Sequence, residues 1–313
     1  MKNFICIDVG GTSIKYSVIK EDGNIITKNS MPTEAIQKGG TGILKKIKSI
    51  IREYKKEYEI SGIAISTAGI VDSKEGKILY ALEDLIPNYT GIEIKKEVER
   101  EFNILCEVEN DVNCAGLGEM WLGAGKGSNS SVCLTIGTGI GGCIIIDNKL
   151  IPGFSNSAGE VGYININGKS FQDRASTSSL IKRIAKKKNM NYMDLNGKIV
   201  FELAKENDKD CLEEIDNMVK DLAIGISNIC YIINPQVVIL GGGIMAQEEF
   251  LKPKIEKELK NTLIESIYKN TKLEFAKQKN DAGMLGALYN FLQKRDKVEW
   301  YYEYIRKIRN TRF

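Results

Sequence analysis

The sequence predicts an α/β protein with two domains, and three observations indicate this class. Strand-like apolar runs alternate with helical patterns along the chain, as in α/β units. A glycine loop that carries a hydroxyl side chain follows a strand-like run near the start and again near the middle. The length of 313 residues is also typical of two domains. We therefore expect two similar α/β halves around a central cleft.

The first half of the chain is predicted to form a small N-terminal α/β domain. It begins with an antiparallel meander, because polar turn residues separate three short apolar runs. Apolar residues then recur at helical spacing over a long segment. The predicted elements are strands 3–8, 13–19 and 24–29, a helix over 43–58, strands 60–66 and 103–109, and a helix over 112–122.

The second half repeats this pattern and is predicted to form a larger C-terminal α/β domain. Its predicted elements are strands 131–136 and 143–147, helices 177–188, 196–205 and 208–233, a strand 236–240, a helix 247–260, a strand 272–276 and a helix 281–293. We place the boundary near residue 112, with the C-terminal tail returning to the first domain. The predicted domains are residues 1–112 with about 290–313, and residues 113–289.

The charge of the chain gives no reason to expect a polyanionic partner. The formal net charge is only +3, although the tail from Lys294 to Phe313 contains seven basic and three acidic side chains. This tail could contact nucleic acid, but Trp300, Tyr304 and Ile308 recur at helical spacing. We therefore interpret it as an amphipathic closing helix and expect no nucleic-acid partner.

The composition also excludes several kinds of site. The seven cysteines form no C-x-C or C-x-x-C pair, which argues against a disulfide framework. The chain contains no histidine, so imidazole can serve neither as a general base nor as a zinc ligand. No signal-peptide pattern and no apolar run of about 18 residues occurs. We expect a cytoplasmic protein without a membrane partner.

A first glycine loop follows the first predicted strand. It contains Asp8, Gly10, Gly11 and Thr12. Glycines allow main-chain N–H groups to converge on an anion, and the threonine adds a hydroxyl donor. A carboxylate at the start of such a loop could hold a phosphate-bound Mg²⁺, directly or through water. The alternative interpretation of Asp8 is a residue that only caps the turn.

A second glycine loop lies in the other half, with the sequence Gly137-Thr138-Gly139-Ile140-Gly141-Gly142. Its spacing matches the dinucleotide-binding fingerprint, but a strand pattern follows it where that motif needs a helix. We interpret it as a phosphate-binding β-turn, with an ordinary glycine hairpin as the alternative. Two such loops far apart in the sequence predict a nucleotide held by both domains and a phosphoryl-transfer reaction.

Three acidic or amide side chains are candidates for the acceptor side of that reaction. Asn110 and Asp111 stand between a predicted strand and a helix. They are typical helix caps, but Asp111 could also accept a proton from an attacking hydroxyl group. Glu160, followed closely by Tyr163 in a glycine-flanked segment, is either an exposed loop residue or an acceptor for sugar hydroxyls.

These segments, in this order, resemble the ROK family (repressors, open reading frames and sugar kinases) of the actin-like ATPase and hexokinase superfamily. The resemblance covers nearly the whole chain, from Asp8 to about Ala287. Besides the loops above, the segments that carry it are Ser66-Thr67-Ala68-Gly69-Ile70-Val71-Asp72, Gly159-Glu160-Val161-Gly162 and Val238-Ile239-Leu240-Gly241-Gly242-Gly243.

The resemblance implies a fold of two ribonuclease-H-like domains that close over ATP and a hexose. It implies that Asp111 deprotonates the 6-hydroxyl group of the sugar. The implied sugar contacts are Gly69, Asn110 and Glu160. The implied nucleotide contacts are the two glycine loops at Asp8, Gly10, Gly11 and Thr12 and at Gly137, Thr138 and Gly139, together with an adenosine-side turn at Gly241, Gly242 and Gly243.

The chain departs from the family pattern around Tyr163. The family usually has a histidine at this position and a downstream cysteine cluster, which together bind structural zinc, and all these ligands are missing here. The glutamate that follows the zinc loop corresponds to Gln172, or alternatively to Asp173. Because all these ligands are missing together, we expect a zinc-free branch. The segments Glu160 to Tyr163 and Phe171 to Leu180 look most like those of bacterial N-acetylmannosamine kinases, with glucokinases and β-glucoside kinases as alternatives.

The resemblance implies an ATP- and Mg²⁺-dependent hexose kinase that assembles as a homodimer. Tyr163 and Gln172 are additional candidates for sugar contacts. A second hypothesis, from another class, is a non-catalytic, sugar-responsive regulator. Repressors of the family carry an N-terminal helix-turn-helix module, and the first predicted strand begins at residue 3, which disfavours that hypothesis.

Overall fold

The computed structural model of the chain describes residues 1–310, with side chains described for residues 1–296. The contacts divide the chain into two compact units. Unit 1 consists of Met1–Trp121 and Asn280–Phe313, and unit 2 consists of Leu122–Lys279. Strands and helices alternate in both units, so the predicted α/β class is confirmed.

Unit 1 is built on a five-stranded mixed sheet. The strands of the unit are β1 (Asn3–Val9), β2 (Ser13–Lys20), β3 (Asn29–Pro32), β4 (Gly62–Thr67), β5 (Ile70–Asp72), β6 (Lys77–Tyr80) and β7 (Cys106–Asn110). The order in the main sheet is β3-β2-β1-β4-β7, while β5 and β6 form a separate hairpin. Strand β1 pairs antiparallel with β2 and parallel with β4, which pairs parallel with β7. The carboxyl ends of β1, β4 and β7 therefore lie at one edge.

Four helices complete unit 1, namely α1 (Ala35–Glu57), α2 (Ile94–Phe102), α3 (Asp111–Leu122) and α10 (Ala282–Asn310). The apolar stripe of α1, with Ile43, Ile47 and Ile51, is fully buried against the sheet residues Ile5 and Ile63 in one hydrophobic cluster. Burial of such side chains stabilises the unit by about 1.5–3 kcal/mol each.

Unit 2 is built on a second five-stranded sheet. Its strands are β8 (Ser131–Ile136), β9 (Ile140–Ile146), β10 (Lys149–Leu150), β11 (Asn165–Ile166), β12 (Lys169–Ser170), β13 (Val237–Gly241) and β14 (Lys272–Phe275), and its helices are α4 (Phe171–Ala175), α5 (Thr177–Lys188), α6 (Gly197–Lys205), α7 (Lys209–Ile233), α8 (Glu248–Thr262) and α9 (Glu265–Asn270). The order in the main sheet is β10-β9-β8-β13-β14.

The two main sheets share one topology. In each, three strands that are consecutive along the chain pair antiparallel, and two later strands are added parallel to the first of them. Unit 2 has its own hydrophobic cluster, which includes Leu134, Phe171, Leu222 and Leu240. The prediction that the second half repeats the first is therefore confirmed at the level of strand order.

Local structure differs from the sequence prediction at several elements: α1 begins at Ala35 instead of residue 43, α2 and the β5–β6 hairpin were not predicted, and the third strand is displaced. That strand was predicted over 24–29 but lies at Asn29–Pro32, and Ile25 forms only an isolated bridge with Ile19. The Thr27 hydroxyl accepts a hydrogen bond from the backbone N–H of Val18 at 2.9 Å, so a side chain takes a place that a strand carbonyl would fill. Regular pairing therefore begins only at Asn29.

Two helices extend beyond their predicted limits and cross the predicted domain boundaries. Residue 112 lies in the first turn of α3, and residue 290 lies inside α10, which continues to Asn310. The backbone of the predicted closing helix is therefore helical up to that residue. The side chains of Trp300, Tyr304 and Ile308, on which its amphipathic character depends, lie outside the described side chains. No helix in the described part of the chain combines the length and hydropathy of a membrane span.

Candidate active site

The first glycine loop connects β1 to β2 in unit 1. The backbone N–H of Gly10 donates to the carbonyl oxygen of Ser13 at 3.0 Å, which closes a tight turn. A β-carbon on Gly11 would meet no atom within 4 Å, and Thr12 is exposed. The loop thus presents its N–H groups and the Thr12 hydroxyl to an open space, as an anion-binding turn requires.

Thr33 holds this loop in place, and sequence reasoning missed it. Its hydroxyl donates to the carbonyl oxygen of Gly10 at 2.6 Å, and its backbone N–H donates to the carbonyl oxygen of Thr12 at 2.9 Å. Thr33 is fully buried. The only sequence signal was a threonine directly after Pro32, which is too common to indicate such a role.

Asp8 lies next to the loop with both carboxylate oxygens engaged. The Ser66 hydroxyl donates to Oδ1 at 2.7 Å, and Lys15 Nζ lies 3.6 Å from Oδ2. The side chain of Asp8 remains partly exposed. Helix α10 begins beside it, and a β-carbon on Gly283 would lie 2.7 Å from the Asp8 carboxyl carbon. Lys15, on strand β2, is therefore the ion-pair partner of the predicted magnesium residue.

Gly69, Asn110 and Asp111 are brought together at the carboxyl ends of β4 and β7. The Asn110 amide Nδ2 donates to the carbonyl oxygen of Gly69 at 2.9 Å and to Asp111 Oδ1 at 3.0 Å. Its Oδ1 accepts from the backbone N–H groups of Val112 and Asn113 at 2.9 and 3.0 Å. Asn110 therefore caps α3, and the cap role does not fall to Asp111.

Asp111 has one fixed and one available carboxylate oxygen. Oδ1 accepts from the N–H of Val112 at 2.9 Å as well as from Asn110. Within the described part of the chain, Oδ2 takes part in no hydrogen bond and is not among the buried unpartnered atoms. Desolvation and then the charge of Asp8 raise the pKa of Asp111 to about 7. A carboxyl group with this pKa is suited to general-base chemistry near neutral pH.

Glu109 and Tyr89 surround this pair and were also missed. Glu109 is buried, and its Oε1 accepts from the backbone N–H of Asn110 at 2.9 Å and from Asn113 Nδ2 at 3.0 Å. The Tyr89 hydroxyl lies 2.6 Å from Thr67 Oγ1, and burial and the nearby charge of Asp111 raise its pKa. Neither residue stands in a recognisable motif, because each is defined by what it touches in the fold.

In unit 2, the second and third glycine segments lie side by side at the carboxyl ends of two neighbouring parallel strands. Strand β8 leads into Gly137 and β13 leads into Gly242. Gly242 has a φ of 110°, and a β-carbon there would overlap the carbonyl oxygen of Ile136. A β-carbon at Gly137 or Gly243 would meet no atom within 4 Å. Both turns thus present backbone to open space.

The predicted loop at Gly137, Thr138 and Gly139 is shorter than the glycine-rich segment that suggested it. Strand β9 already begins at Ile140, so Gly141 and Gly142 belong to the sheet. The backbone N–H of Thr177, the first residue of α5, donates to the carbonyl oxygen of Gly137 at 3.0 Å. Thr138 is exposed.

Glu160, Tyr163 and Gln172 occupy the same region of unit 2. Glu160 directly precedes a short 3₁₀ turn that ends at Tyr163, and the side chain of Tyr163 is 64% exposed. Desolvation raises the pKa of Glu160 although the residue as a whole is exposed. A β-carbon on Gly139 would lie 2.6 Å from Gln172 Oε1, so this amide packs directly against the second glycine loop.

The residues around Asp8 fit the magnesium ion of a bound nucleotide. No group of three or more cysteine, histidine or acidic side chains with metal-binding geometry occurs within the described residues. Mg²⁺ typically takes one or two carboxylates and completes its shell with substrate phosphates and water. Asp8, next to a backbone turn that can receive phosphate, satisfies that requirement.

The chain matches a known family over most of its length. The sequence profile of the ROK family matches residues 4–294. A β-glucoside kinase of Listeria innocua is 32% identical in an alignment of 300 positions that covers 93% of this chain and 98% of that protein.

Solved structures give the same result. A Listeria monocytogenes protein proposed to be an N-acetylmannosamine kinase has a TM-score of 0.84 and 29% identity, covering 94% of this chain and 99% of that one. A ROK family glucokinase of Streptomyces griseus, solved with glucose and AMPPNP, has a TM-score of 0.78 and 26% identity, covering 91% and 98%.

The paired sheets and glycine turns define the actin-like ATPase fold, with the features of a nucleotide-dependent phosphotransferase. The chain belongs to the ROK family, and its enzyme class is that of the ATP-dependent sugar kinases.

Proposed function

We propose that this protein transfers the γ-phosphoryl group of ATP to the 6-hydroxyl group of a hexose, with N-acetylmannosamine as the leading candidate substrate. The observation that carries the proposal is the state of Asp111. Its Oδ1 is fixed by two hydrogen bonds, its Oδ2 is available, and its pKa is raised to about 7. A base of this kind orients and deprotonates an attacking hydroxyl group.

The other predicted residues take the following roles in this proposal. In unit 1, Gly69 and Asn110 contact the sugar, and Gly10, Gly11 and Thr12 contact phosphate. Asp8 holds Mg²⁺, directly or through water, and the ion supplies charge neutralisation on the phosphates. In unit 2, Gly137, Thr138 and Gly139 contact phosphate, Gly241, Gly242 and Gly243 contact the adenosine side, and Glu160, Tyr163 and Gln172 contact the sugar.

The choice of N-acetylmannosamine rests on the segment around Tyr163. The exposed ring and hydroxyl of Tyr163 stand beside Glu160, in the region where the resemblance implies sugar contacts. The fold similarity to the Listeria monocytogenes protein supports the same substrate. The sequence similarity to a β-glucoside kinase favours a second candidate, a β-glucoside such as cellobiose. Glucose is the third.

A coupled assay of ADP release over a sugar panel tests the proposal. The panel contains N-acetylmannosamine, N-acetylglucosamine, glucose, mannose and cellobiose, each with ATP and Mg²⁺. We expect turnover with at least one hexose and the highest kcat/KM with N-acetylmannosamine. Higher kcat/KM with cellobiose or glucose would replace the substrate but keep the kinase. No turnover with any sugar would favour a non-catalytic sugar-responsive regulator.

The variant Asp111→Asn tests the role of the base. Because asparagine keeps the size and accepts hydrogen bonds at Oδ1, we expect the sugar affinity to stay within about tenfold, or about 1.4 kcal/mol. We expect the rate to fall by about two to four decades. Turnover close to that of the wild type would rule out this assignment.

The proposal also includes a zinc-free homodimer. Light scattering during size-exclusion chromatography tests the dimer, and elemental analysis of the purified protein tests the absence of zinc. Either result leaves the proposed reaction untouched, because neither the dimer nor zinc supplies a group to Asp111.

A further inference from the structure

Unit 2 contains a charged groove apart from the glycine turns. Its volume is about 410 Å³, and β12, α4, α5 and α7 contribute to its walls. Four cationic side chains and three carboxylates line it. The cationic residues are Lys169, Arg174, Arg183 and Lys220, and the carboxylates belong to Asp173, Glu214 and Asp221. The volume exceeds that of a phosphate ion and is sufficient for a small phosphorylated molecule.

The guanidinium group of Arg183 is fixed on three sides. Nε donates to Glu214 Oε2 at 2.7 Å, and Nη1 donates to the carbonyl oxygen of Arg174 at 2.8 Å and to Ser179 Oγ at 2.7 Å. The remaining nitrogen, Nη2, is buried and has no hydrogen-bond partner among the described residues. The donor is therefore held rigidly with its hydrogen-bonding capacity unused.

Arg174 has the same feature. Its Nη2 donates to the carbonyl oxygen of Asn167 at 2.8 Å, and its Nη1 lies 4.0 Å from Asp221 Oδ2, at the limit of an ion pair. Its Nε is also buried without a partner within the described part of the chain. A buried unsatisfied donor costs about 1–3 kcal/mol, and more when the group is charged. Both donors belong to side chains that line the same groove.

The remaining charges of the groove favour an anion. The carboxylate of Glu214 already pairs with Arg183, and Asp173 accepts a hydrogen bond from the Ser170 hydroxyl at 2.6 Å. Lys169 and Lys220 form no ion pair with any described residue. Asp221 is the remaining carboxylate, and a ligand beside it is favoured if it can donate a hydrogen bond. Hydrogen phosphate and sugar phosphates have such donors, whereas sulfate has none.

We propose that this groove is a binding site for a phosphate group, either free phosphate or the phosphate of a small phosphorylated sugar. Arg174 Nε and Arg183 Nη2 donate to its oxygens, and Lys169 and Lys220 add positive charge. Guanidinium groups suit this ligand because their planar, fixed donors match phosphate oxygens. The site uses none of the residues assigned above to ATP or the acceptor hydroxyl group.

Calorimetric titration of the full-length protein with inorganic phosphate tests the proposal. Glucose 6-phosphate and sulfate are titrated in parallel at constant ionic strength. We expect phosphate or glucose 6-phosphate to bind more tightly than sulfate, and the tighter of the two identifies the source of the phosphate group. Equal affinity for phosphate and sulfate, or no binding at tens of millimolar, would overturn the proposal.

Three variants separate this groove from the glycine loops, which also attract phosphate. Arg174→Lys keeps the charge but removes the Nε donor, and we expect it to weaken binding about tenfold. The side chain of Lys220 is exposed, and we expect Lys220→Gln to bind phosphate about threefold more weakly. Lys198→Gln is the matched control, because its side chain is 81% exposed and lies outside the groove. It should bind phosphate as the wild type does.

Circular dichroism checks that each variant is folded. If Arg174→Lys fails to fold, Lys220→Gln and Lys169→Gln decide the outcome. If Lys198→Gln and the groove variants weaken phosphate binding equally, the effect would come from the general loss of positive charge, and the proposal would be overturned. A changed oligomeric mass of Arg174→Lys by light scattering would also overturn it, because the guanidinium group would then serve a contact between two copies. The readout is binding, so it does not depend on kinase turnover.

Discussion

At the scale of single residues, the acid–base behaviour of Asp111 decides the pH dependence of the proposed reaction. Its pKa is raised to about 7, first by desolvation and then by the charge of Asp8. The basic form of a carboxyl group is the deprotonated one. We therefore expect kcat/KM to rise with pH through about 7 and to level off above it, since this parameter reports groups of the free enzyme.

The variant Glu160→Gln is the control for this pH profile. Desolvation also raises the pKa of Glu160, so two carboxyl groups could contribute to the acidic limb. If Asp111 is the base, Glu160→Gln keeps the limb near pH 7 and Asp111→Asn loses it in its residual activity. A limb that disappears in Glu160→Gln would transfer the role to that residue.

The same raised pKa has a consequence for stability. The ordinary pKa of Asp111 is 3.8 and the folded value is about 7, so the folded state binds more protons than the unfolded state between these values. The free energy of unfolding therefore falls as the pH rises through this window. We expect Asp111→Asn to be more stable than the wild type at pH 8, by on the order of 2 kcal/mol.

Urea denaturation at pH 8 and at pH 4 measures this effect. The stability difference between Asp111→Asn and the wild type should shrink towards pH 4, where the aspartic acid is largely protonated in the folded protein. A difference that is independent of pH would show that the burial of a charged carboxylate is not the cause.

At the scale of helices and strands, the sequence correctly predicted the limits of elements whose start and end depend on neighbouring residues. The limits of β8 and α5 match their predicted ranges, 131–136 and 177–188. Strand β8 is an apolar run between polar ends, and Ser176 caps α5 by accepting a hydrogen bond from the N–H of Ser179 at 3.1 Å. Both signals lie within a few residues of the element they define.

The sequence could not predict features that depend on distant contacts. The third strand was misplaced because the Thr27 hydroxyl binds Val18, which periodicity does not show. The candidate residues Asp8 and Asp111 were proposed from their position at the ends of strands. The contacts of Ser66 with Asp8 and of Thr33 with Gly10 were not, because hydrogen bonds across 58 and 23 residues leave no local pattern.

Helix α10 contributes to the surroundings of Asp8 through Gly283. A β-carbon there would lie 2.7 Å from the Asp8 carboxyl carbon and from Oδ1. The Asp8 carboxylate can turn away from the added methyl group at modest cost, so we expect Gly283→Ala to lower stability by about 1 kcal/mol. Because the turned carboxylate would leave its position in the proposed site, we expect kcat/KM to fall about tenfold or more. Steady-state kinetics at varied Mg²⁺ and urea denaturation measure the two effects. A loss of stability without a loss of activity would contradict the role of Asp8.

Gly286, one turn further along α10, is the matched comparison. A β-carbon there would overlap the backbone carbonyl oxygen of Cys114 in α3. A β-carbon on Gly118 of α3 would likewise overlap the carbonyl oxygen of Ala282 in α10. Backbone cannot turn aside, so α10 and α3 would have to separate. We expect Gly286→Ala to destabilise the protein by about 3 kcal/mol, well beyond the effect of Gly283→Ala. Comparable urea midpoints for the two variants would contradict this backbone contact.

At the scale of the whole molecule, each unit has its own core. The hydrophobic cluster of unit 1 and that of unit 2 share no residue among those described. Chains that contain more than one core commonly depart from two-state unfolding. We therefore expect the protein without ligands to unfold in more than one calorimetric transition, with a calorimetric enthalpy larger than the van't Hoff enthalpy.

A pair of matched core variants assigns these transitions to the units. Ile65 in β4 and Ile184 in α5 are both fully buried, the first in the cluster of unit 1 and the second in that of unit 2. Replacing either by alanine leaves a cavity that costs about 2–5 kcal/mol. We expect Ile65→Ala to lower one transition and Ile184→Ala to lower the other. AMPPNP should raise the temperatures of both transitions, because the proposed nucleotide contacts come from glycine turns of both units. A ligand stabilises each unit that must be folded for it to bind. A single transition that both variants lower equally would show that the two cores unfold as one cooperative unit.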